Sequence, residues 1–435
     1  MKTKYLDILE KVFVIIGLTF FSKGFDVGST PAVPEPIPGL IPPIAISGIR
    51  YFVWITSIIL IFLRWKKCLA IASKDKYLWI LVALILQSYI WSDYPSFTYQ
   101  GGREIWQMTS FALYFASRFS LREQVQLIAI NFGIGGILSI ITALAFPAAG
   151  LHILDHPGAW KGIYDYKNTL GSMMIIGSLA FYLLPLNNLR TPIRKKIGVI
   201  LKYSGIALFL AVVILCTSKT SLVIYFLLVG ILIFYSKYRW QGKITVIYLD
   251  ISILILGCVG TLVFTNWVNI LSGLGKDHTM SGRTLMWGVM LLRIQDRPWF
   301  GYGRGAFWVR SSGYPAQVGG AISHVFVAPH GHNGFLDLTL DIGLIGFTLF
   351  MISFLVAFAR SLKRAYAAQS SEDIWPLAFL IFLAMNNIME SYLLRVDNIY
   401  WVLFVTTVLS VPLHRPKVVM KSQNTCLDTA IKRSQ

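Results

Sequence analysis

The sequence predicts an all-α integral membrane protein with about twelve transmembrane helices and one large periplasmic loop. Hydrophobic residues make up 55% of the 435 residues, and the mean hydropathy is +0.63. Charged residues make up only 14%, whereas a soluble domain carries roughly 25%. Apolar runs of helix-spanning length recur along the chain. That recurrence excludes a membrane barrel, whose strands alternate apolar and polar residues.

Twelve apolar segments account for this prediction, and several are shorter than the roughly 20 residues of a typical membrane helix. The first is expected to be a retained helix, because no convincing small-residue cleavage site accompanies it. A proline-rich stretch, which is unsuited to a helix interior, separates the first segment from the second. The segments are residues 12–21, 44–63, 77–91, 105–119, 125–146, 169–186, 204–216, 221–235, 244–264, 334–359, 374–394 and 399–411.

Lysine and arginine are distributed unequally between the two sides of these segments. One set of loops, with both termini, carries about 26 of the 39 basic residues, and the other set carries about 12. Because cytoplasmic loops are enriched in Lys and Arg, both termini are predicted to be cytoplasmic. Most of the net charge of +19 then reflects topology, so nucleic acid is not an expected partner. Residues 1–415 would form the membrane domain and residues 416–435 a cytoplasmic tail.

The external side carries one long loop, residues 265–331, and it is the only loop long enough to form a small domain. Its middle, GRTLMWGVMLLRIQ, has the pattern of an amphipathic helix that begins after a Ser-Gly turn. The run PWFGYGRG follows at residues 298–305, and its glycines permit tight turns and close backbone approach to a ligand.

The stretch HGHNGFLDLTLDIGLIG, residues 330–346, leads from this loop into the tenth segment. His332 and Asn333 stand at the mouth of a membrane helix, and Asp337 and Asp341 follow on the same helical face. A histidine at this boundary can act as a base near neutral pH, although a lone histidine is more often a loop residue that caps a helix. The glycines at 343 and 346 are small enough to let another helix pack closely.

Basic residues on the external side are informative, because the orientation rule disfavours them there. An arginine within a membrane segment is costly and is usually functional. Arg and Lys near the outer leaflet suit an anionic ligand such as a phosphate, and the rival interpretation is contact with lipid headgroups. Headgroup contact is favoured for Lys23 and Arg310. The candidate anion ligands are Lys161, Lys167, Lys219, Arg283, Arg297 and Arg304 in external loops, and Arg50 inside the second segment.

Carboxylates add further candidates. Glu390 lies near the external end of the eleventh segment, four residues after Asn386, and it could act on substrate or pair with a basic residue. Asp337 and Asp341 could orient His332 or hold an arginine, with a structural role favoured for Asp341. The four cysteines show no pairing or metal-ligand spacing, so neither a disulfide nor a metal site is expected at them.

An ordered set of motifs resembles the signature of the O-antigen ligase and polymerase superfamily. His332-Asn333 is followed after nine residues by Gly343-x-x-Gly346. Four more motifs precede it in order: Trp160-Lys161-Gly162 with Lys167-Asn168-x-x-Gly171, Ser218-Lys219-Thr220, Gly282-Arg283-x-x-x-Trp287, and Gly301-Tyr302-Gly303. The resemblance covers roughly residues 155–395.

The resemblance implies a glycosyltransferase of the bacterial inner membrane that acts on the periplasmic side. The donor would be an undecaprenyl diphosphate-linked glycan and the acceptor a glycan or lipid A-core, with no cofactor and no metal. His332 would be the catalytic base and Arg283 a diphosphate ligand. Lys219, Lys167 and Asn168 favour an exopolysaccharide or O-antigen polymerase, with a chain-length regulator as a further partner.

Three alternatives to a polymerase remain: a ligase of the same enzyme class, a flippase and a structural assembly partner. A ligase would join the finished chain to lipid A-core, although ligases often carry Arg where this chain has Lys219. A flippase for the same lipid would need charges near the bilayer midplane and repeated broken helices, whereas polar residues here gather at the external ends. A purely structural assembly partner leaves the basic residues unexplained.

Overall fold

A computed structural model describes residues 2–29, 39–153, 156–185, 191–237, 282–395 and 398–411. The ninth predicted segment, residues 244–264, lies outside the described residues. So do the beginning of the large loop, the tail after residue 411, Cys258 and Cys426. Within the described part the chain is helical, and an isolated antiparallel bridge between Leu151 and Trp160 stands outside any named strand. The all-α prediction is therefore confirmed for these residues.

The helices follow the predicted segments closely, with changes mainly at their ends. In chain order they are α1 (Lys2–Phe21), α2 (Pro43–Leu63), α3 (Trp65–Ala72), α4 (Lys76–Gln87), α5 (Pro95–Arg118), α6 (Leu121–Ala145), α7 (Pro147–Gly150), α8 (Lys167–Tyr182), α9 (Pro192–Leu215), α10 (Lys219–Lys237), α11 (Arg283–Asp296), α12 (Tyr314–Gly320), α13 (Gly334–Tyr366), α14 (Trp375–Met389) and α15 (Ile399–Ser410).

Four of the described helices are long and apolar enough to cross a membrane: Pro43–Leu63, Leu121–Ala145, Lys196–Leu215 and Gly334–Tyr366. Three more apolar helices are shorter: Lys76–Ile90, Lys219–Ile233 and Ile399–Ser410. The chain is thus a helical membrane protein, but helix length and composition do not establish the predicted total of twelve spans. One reason is visible in α5, which begins ten residues before the predicted segment and includes polar residues such as Glu104.

Ion pairs mark one end of the helix bundle. The Glu10 carboxylate accepts hydrogen bonds from Arg64 at the end of α2 and from Arg118 at the end of α5. Arg118 also bonds Asp7 at 2.5 Å. The start of α1 and the ends of α2 and α5 therefore lie together, as expected if all three belong to one side of the membrane. Lys23, beyond the other end of α1, lies 3.3 Å from Asp165.

The last two helices are largely buried. Every residue of α15 is buried, and α14 is buried over most of its length. α15 packs against α5, and α14 packs against α8, α10 and α13. The end of α14 therefore reaches the beginnings of α8 and α13, where the candidate site residues are placed.

α13 is interrupted near its beginning, a feature that the apolar pattern does not reveal. Gly343 adopts φ 68° and ψ −174°, which no helix contains. Segment 298–303 fills the break, because Tyr302 and Gly303 donate to the carbonyls of Leu340 and Asp341 at 2.8 and 3.0 Å. The amide of Leu344 donates in return to Pro298 O at 2.7 Å.

The prediction that Gly343 admits another helix is therefore wrong. A Cβ on Gly343 would lie 2.1 Å from the Trp299 carbonyl oxygen, so the glycine admits the backbone of the loop. The glycines of PWFGYGRG likewise serve this contact, since a Cβ on Gly301 would lie 2.5 Å from Leu340 O. A Cβ on Gly346 would meet only the side chain of Ile342, in its own helix.

Candidate functional site

The carboxylate of Glu390 stands at the centre of the candidate site. Glu390 is 4% exposed and follows the last turn of α14 with an extended backbone conformation. Asn168 Nδ2 donates to Oε1 at 2.8 Å, and Arg283 Nη2 lies 3.3 Å from the same oxygen. His332 Nδ1 lies 3.7 Å from Oε2. Three candidates from three separate segments therefore converge at one buried carboxylate.

Helix termini bring these side chains together. Asn168 is the second residue of α8, Arg283 is the first residue of α11, and His332 precedes α13. Each contacts the residue that follows the end of α14. The sequence predicts Glu390 one turn inside a membrane helix, but α14 ends at Met389. The carboxylate therefore sits on irregular backbone at the helix terminus.

Arg283 is held by two groups at the end of α14. Besides the carboxylate of Glu390, its Nη1 donates to the main-chain oxygen of Met389. Its side chain is 18% exposed. Because the C-terminus of a helix carries partial negative charge, these contacts fix the guanidinium in place. The same contacts occupy N–H groups of Arg283 that could otherwise bind a ligand.

The loop before α13 is shaped by specific caps. Asn333 Oδ1 accepts from the amides of Phe335 and Leu336, both at 3.1 Å. The cap of the helix is thus Asn333, which leaves His332 free of that role. His332 adopts φ 51°, a left-handed conformation that costs a non-glycine residue roughly 1–3 kcal/mol and often marks functional sites.

The two aspartates of α13 hold backbone amides of neighbouring loops. Asp337 accepts from the amide of Gly331 at 3.1 Å, so it fixes the histidine loop without touching the imidazole of His332. Asp341 accepts from the amide of Gly305 at 2.8 Å and lies 4.0 Å from Arg304 Nε. Asp341 therefore has the favoured structural role, whereas the carboxylate beside His332 is Glu390.

His330 is a site residue that the sequence reasoning missed. Its ring centroid lies 4.2 Å from that of His332. Burial, reinforced by nearby positive groups such as Arg395, lowers the pKa of His330 well below its usual range. The imidazole is therefore neutral at physiological pH. The signal is present in the sequence, because His330-Gly331-His332 places two imidazoles two residues apart.

Lys167 and Lys219 are the first residues of α8 and α10, two helices that pack against each other. Gly171 of α8 packs so closely on Ser221 of α10 that an added Cβ would lie 2.4 Å from Ser221 Oγ. Burial lowers the pKa of Lys167, and the positive charge of Lys219 lowers it further. No carboxylate of the described residues lies within ion-pair distance of either lysine. Lys167 directly precedes Asn168, whose side chain contacts Glu390.

Three further basic candidates lie outside this cluster. Arg50 faces Glu104 at 3.5 Å, between α2 and α5. Lys161 is 2% exposed and donates to Ser29 O at 2.9 Å, and burial lowers its pKa. Arg304 is buried beside Asp341, and its amide donates to Ser88 Oγ at 3.1 Å.

The remaining external cations differ in their surroundings. Arg297 pairs with Asp93 at 2.9 Å on the surface. Lys23, for which the sequence favours headgroup contact, instead pairs with Asp165 in a small pocket. Arg395 lines the same pocket, and its positive charge contributes to lowering the pKa values of Asp165 and His330. No motif singles out Arg395 in the sequence, because it lies between the end of α14 and the start of α15.

Comparison with known proteins bears directly on these residues. Residues 205–351 match the family described as O-antigen ligase. The chain is also similar to the exopolysaccharide production protein ExoQ of Rhizobium meliloti (strain 1021). The two are 24% identical over 344 residues, covering 76% of this chain and 74% of the relative.

The resemblance to the O-antigen ligase and polymerase superfamily is thereby confirmed. The two matches support a role in polysaccharide polymerisation or ligation, in a multi-pass bacterial membrane protein.

The O-antigen ligase match covers only part of the site. It includes Lys219, Arg283, Arg304 and His332 but ends before Glu390 and begins after Asn168. Glu390 and its hydrogen-bond partner Asn168 therefore both lie outside the matched region. Together these residues place an imidazole and a guanidinium beside one buried carboxylate.

Proposed function

We propose that the protein transfers a glycan from undecaprenyl diphosphate to a sugar hydroxyl, on the periplasmic side of the bacterial inner membrane, during polymerisation of surface polysaccharide. The observation that carries this proposal is the position of His332, whose Nδ1 faces the buried carboxylate of Glu390 at 3.7 Å. A carboxylate at one imidazole nitrogen orients the ring, so that the other nitrogen can take a proton.

The reaction needs one proton acceptor and one stabilised leaving group. His332 removes the proton of the acceptor hydroxyl, whose oxygen forms a bond to the anomeric carbon of the donor sugar. The bond from that carbon to the diphosphate oxygen breaks, and undecaprenyl diphosphate leaves with the electron pair. The proposal includes no glycosyl-enzyme intermediate, and it therefore expects inversion at the anomeric carbon.

The lysine pair is the proposed diphosphate site. Lys167 and Lys219 have no carboxylate partner among the described residues, so their charges remain available to an anion. Arg283 is proposed to join them, held rigidly by Glu390 and Met389. Fixed cations stabilise the negative charge that develops on the leaving diphosphate. Arg304, Lys161 and Arg50, each turned toward a protein partner, are assigned supporting positions.

An apolar groove below the lysine pair suits the lipid part of the donor. It lies between α8, α9 and α10, and its lining is almost entirely hydrocarbon and aromatic, with Leu179, Leu210, Phe226 and Leu232 among its residues. Both lysines stand at the outer ends of two of these helices. A polyprenyl chain in this groove would place its diphosphate beside the two ammonium groups.

Polymerisation is favoured over ligation to lipid A-core. Lys219 occupies a position where ligases often carry Arg, and a relative covering three quarters of the chain is an exopolysaccharide production protein. The family description, O-antigen ligase, keeps ligation as the second candidate. A chain-length regulator is a proposed partner only for the polymerase.

The test uses the purified protein in nanodiscs with a lipid diphosphate-linked repeat unit. Lengthening of the glycan with release of undecaprenyl diphosphate is the expected result. Transfer only onto lipid A-core would replace polymerase with ligase. Movement of intact lipid between leaflets without any new glycosidic bond would show a flippase and overturn the proposal.

A further inference from the structure

His330, His332 and Glu390 form a cluster with the composition of a metal site. Each residue offers one nitrogen or oxygen, and these three atoms lie within 4.8 Å of one another. Two of the residues are spaced i and i+2 in the loop before α13, and the third follows α14. The left-handed backbone at His332 brings its ring beside that of His330.

The imidazoles have unsatisfied nitrogens in this position. Nδ1 of His330 and Nδ1 of His332 are both buried, and neither has a hydrogen-bond partner among the residues that the structure describes. A distance of 3.7 Å from His332 to Glu390 is too long for an ordinary hydrogen bond. Two neighbouring imidazoles with buried nitrogens and a carboxylate are satisfied together by a cation that accepts their lone pairs.

The carboxylate has one oxygen available for such a cation. Oε1 of Glu390 is occupied by Asn168 and Arg283, whereas Oε2 faces His332. Zinc binds imidazole nitrogen and carboxylate oxygen at about 2.0–2.2 Å, and a set of two histidines and one glutamate leaves a fourth position open. Rotation of the two rings and of Glu390 must draw the ligand atoms inward by about 1 Å to reach these bond lengths.

We propose that His330, His332 and Glu390 bind Zn²⁺, and that bound zinc inhibits glycan transfer by withdrawing His332 and Glu390 from proton transfer. The binding is independent of the proposed function, whereas the inhibition depends on it. The Arg283 guanidinium beside Glu390 opposes a second cation. The affinity is therefore expected to be micromolar, so that zinc acts as a reversible inhibitor.

Direct binding is the first test. ZnCl₂ is titrated calorimetrically into the chelator-treated full chain in nanodiscs, and one ion per chain is expected. His330→Ala should weaken binding at least tenfold, and His330→Gln, which retains a polar side chain, should do the same. His324→Ala is the matched control, because His324 is an exposed histidine of the same external loop. Unchanged binding by both His330 variants would overturn the site.

Coordination can be checked without any activity. Co²⁺ in place of Zn²⁺ should give the visible absorption of a four-coordinate nitrogen and oxygen site in the wild type and in His324→Ala. Both His330 variants should lose this absorption. A spectrum of hexahydrated Co²⁺ in the wild type would contradict the proposal even if calorimetry detected weak binding elsewhere.

The transfer assay separates the two parts of the inference. Zinc should inhibit the wild type, a chelator should restore transfer, and His330→Gln should resist inhibition. Zinc that binds at one ion per chain without slowing transfer would overturn the inhibition, and with it the role of His332 as base. Site-specific binding by a chain that transfers no glycan under any condition would support the zinc site and overturn the proposed function.

Discussion

The side-chain amide of Asn168 donates to Oε1 of Glu390 at 2.8 Å, although 222 positions separate the two residues. This bond joins the first turn of α8 to the residue that follows α14. It fixes the carboxylate that also faces Arg283 and His332. The orientation of the candidate base therefore depends on the packing of two helices that the sequence places far apart.

The role of His332 as base is tested by replacement with glutamine. His332→Gln keeps hydrogen-bonding capacity but cannot accept the proton, so single-turnover transfer should fall by roughly 10²–10⁴, the usual loss for a general base. Donor binding, measured separately in nanodiscs, should change little because the cations supply it. Transfer at the wild-type rate would show that His332 is structural, whereas a collapse of donor binding would show that it positions substrate.

The contacts of Glu390 with its neighbours should contribute to stability as well as to transfer. Glu390→Ala leaves Arg283 without its buried partner, and loss of one member of a buried ion pair typically costs about 3–5 kcal/mol. Thermal unfolding in detergent should therefore shift down clearly, and transfer should be lost.

Two comparisons calibrate the loss at Glu390. Asn168→Ala removes one hydrogen bond to a charged group, worth about 1.5–3 kcal/mol, and should be intermediate. Asp296→Ala removes an exposed pair with Arg293 and should be near wild type, because such pairs contribute little. Equal stability of all three variants would contradict the central role of Glu390.

The lysine pair should determine donor affinity. Lys219→Ala and Lys167→Ala should each weaken binding of the lipid diphosphate, and the double variant should lose more. Lys219→Arg should retain much of the activity, because its charge is preserved. Binding is measured with undecaprenyl diphosphate in nanodiscs at constant salt.

Arg310→Ala is the control for the lysine variants, since Arg310 is an exposed cation for which headgroup contact is favoured. Arg283→Ala should abolish transfer while membrane expression persists. Normal donor binding and turnover in both lysine variants would reduce the pair to contact with lipid headgroups.

The interruption of α13 is tested by adding a single methyl group. Gly343→Ala places a Cβ 2.1 Å from the Trp299 carbonyl oxygen at a φ of 68°, so it should destabilise the protein by at least about 2 kcal/mol. Gly288 of α11 has open space at its Cβ position, and Gly288→Ala should stabilise by about 0.5–1 kcal/mol. Thermal unfolding midpoints of the two variants should therefore move in opposite directions.

The predicted topology has a direct chemical test. Val325 is 90% exposed in the external loop. Val325→Cys, in a chain whose four native cysteines are replaced, should react with an impermeant thiol reagent in intact cells with a permeable outer membrane. Labelling only after lysis would place this loop in the cytoplasm and overturn the proposed side of the reaction.

Motifs and residue types in the sequence predict most of the side chains of the candidate site, although they do not single out His330 or Arg395. They single out His332, Asn333, Arg283, Asn168 and Glu390, and the first four meet at or beside Glu390. The partner of His332 cannot be chosen in the same way. Helical spacing places Asp337 near the histidine loop, but spacing within one segment does not show which distant carboxylate packs against it.

The sequence also does not predict which basic residues lie near one another. The charge pattern predicts on which side of the membrane a lysine or arginine lies. It does not predict which of these residues are neighbours, because each belongs to a different helix end or loop. Lys167 and Lys219 begin two helices that Gly171 and Ser221 bring into contact, whereas Arg50 and Arg304 face acidic partners elsewhere. The break at Gly343 is hidden because an apolar run has the same pattern whether the helix is continuous or interrupted.

The backbone pairing between residues 298–303 and the interrupted helix divides the external loop into two parts with different tolerance for changes in length. An added or deleted residue between Pro298 and Gly303 shifts every donor past its carbonyl on α13 and leaves several backbone groups without partners. Residues 323–325 are exposed and take no part in the pairing with α13, so they can absorb insertions readily. Length variation among relatives should therefore concentrate near residue 325, and a reporter peptide belongs there.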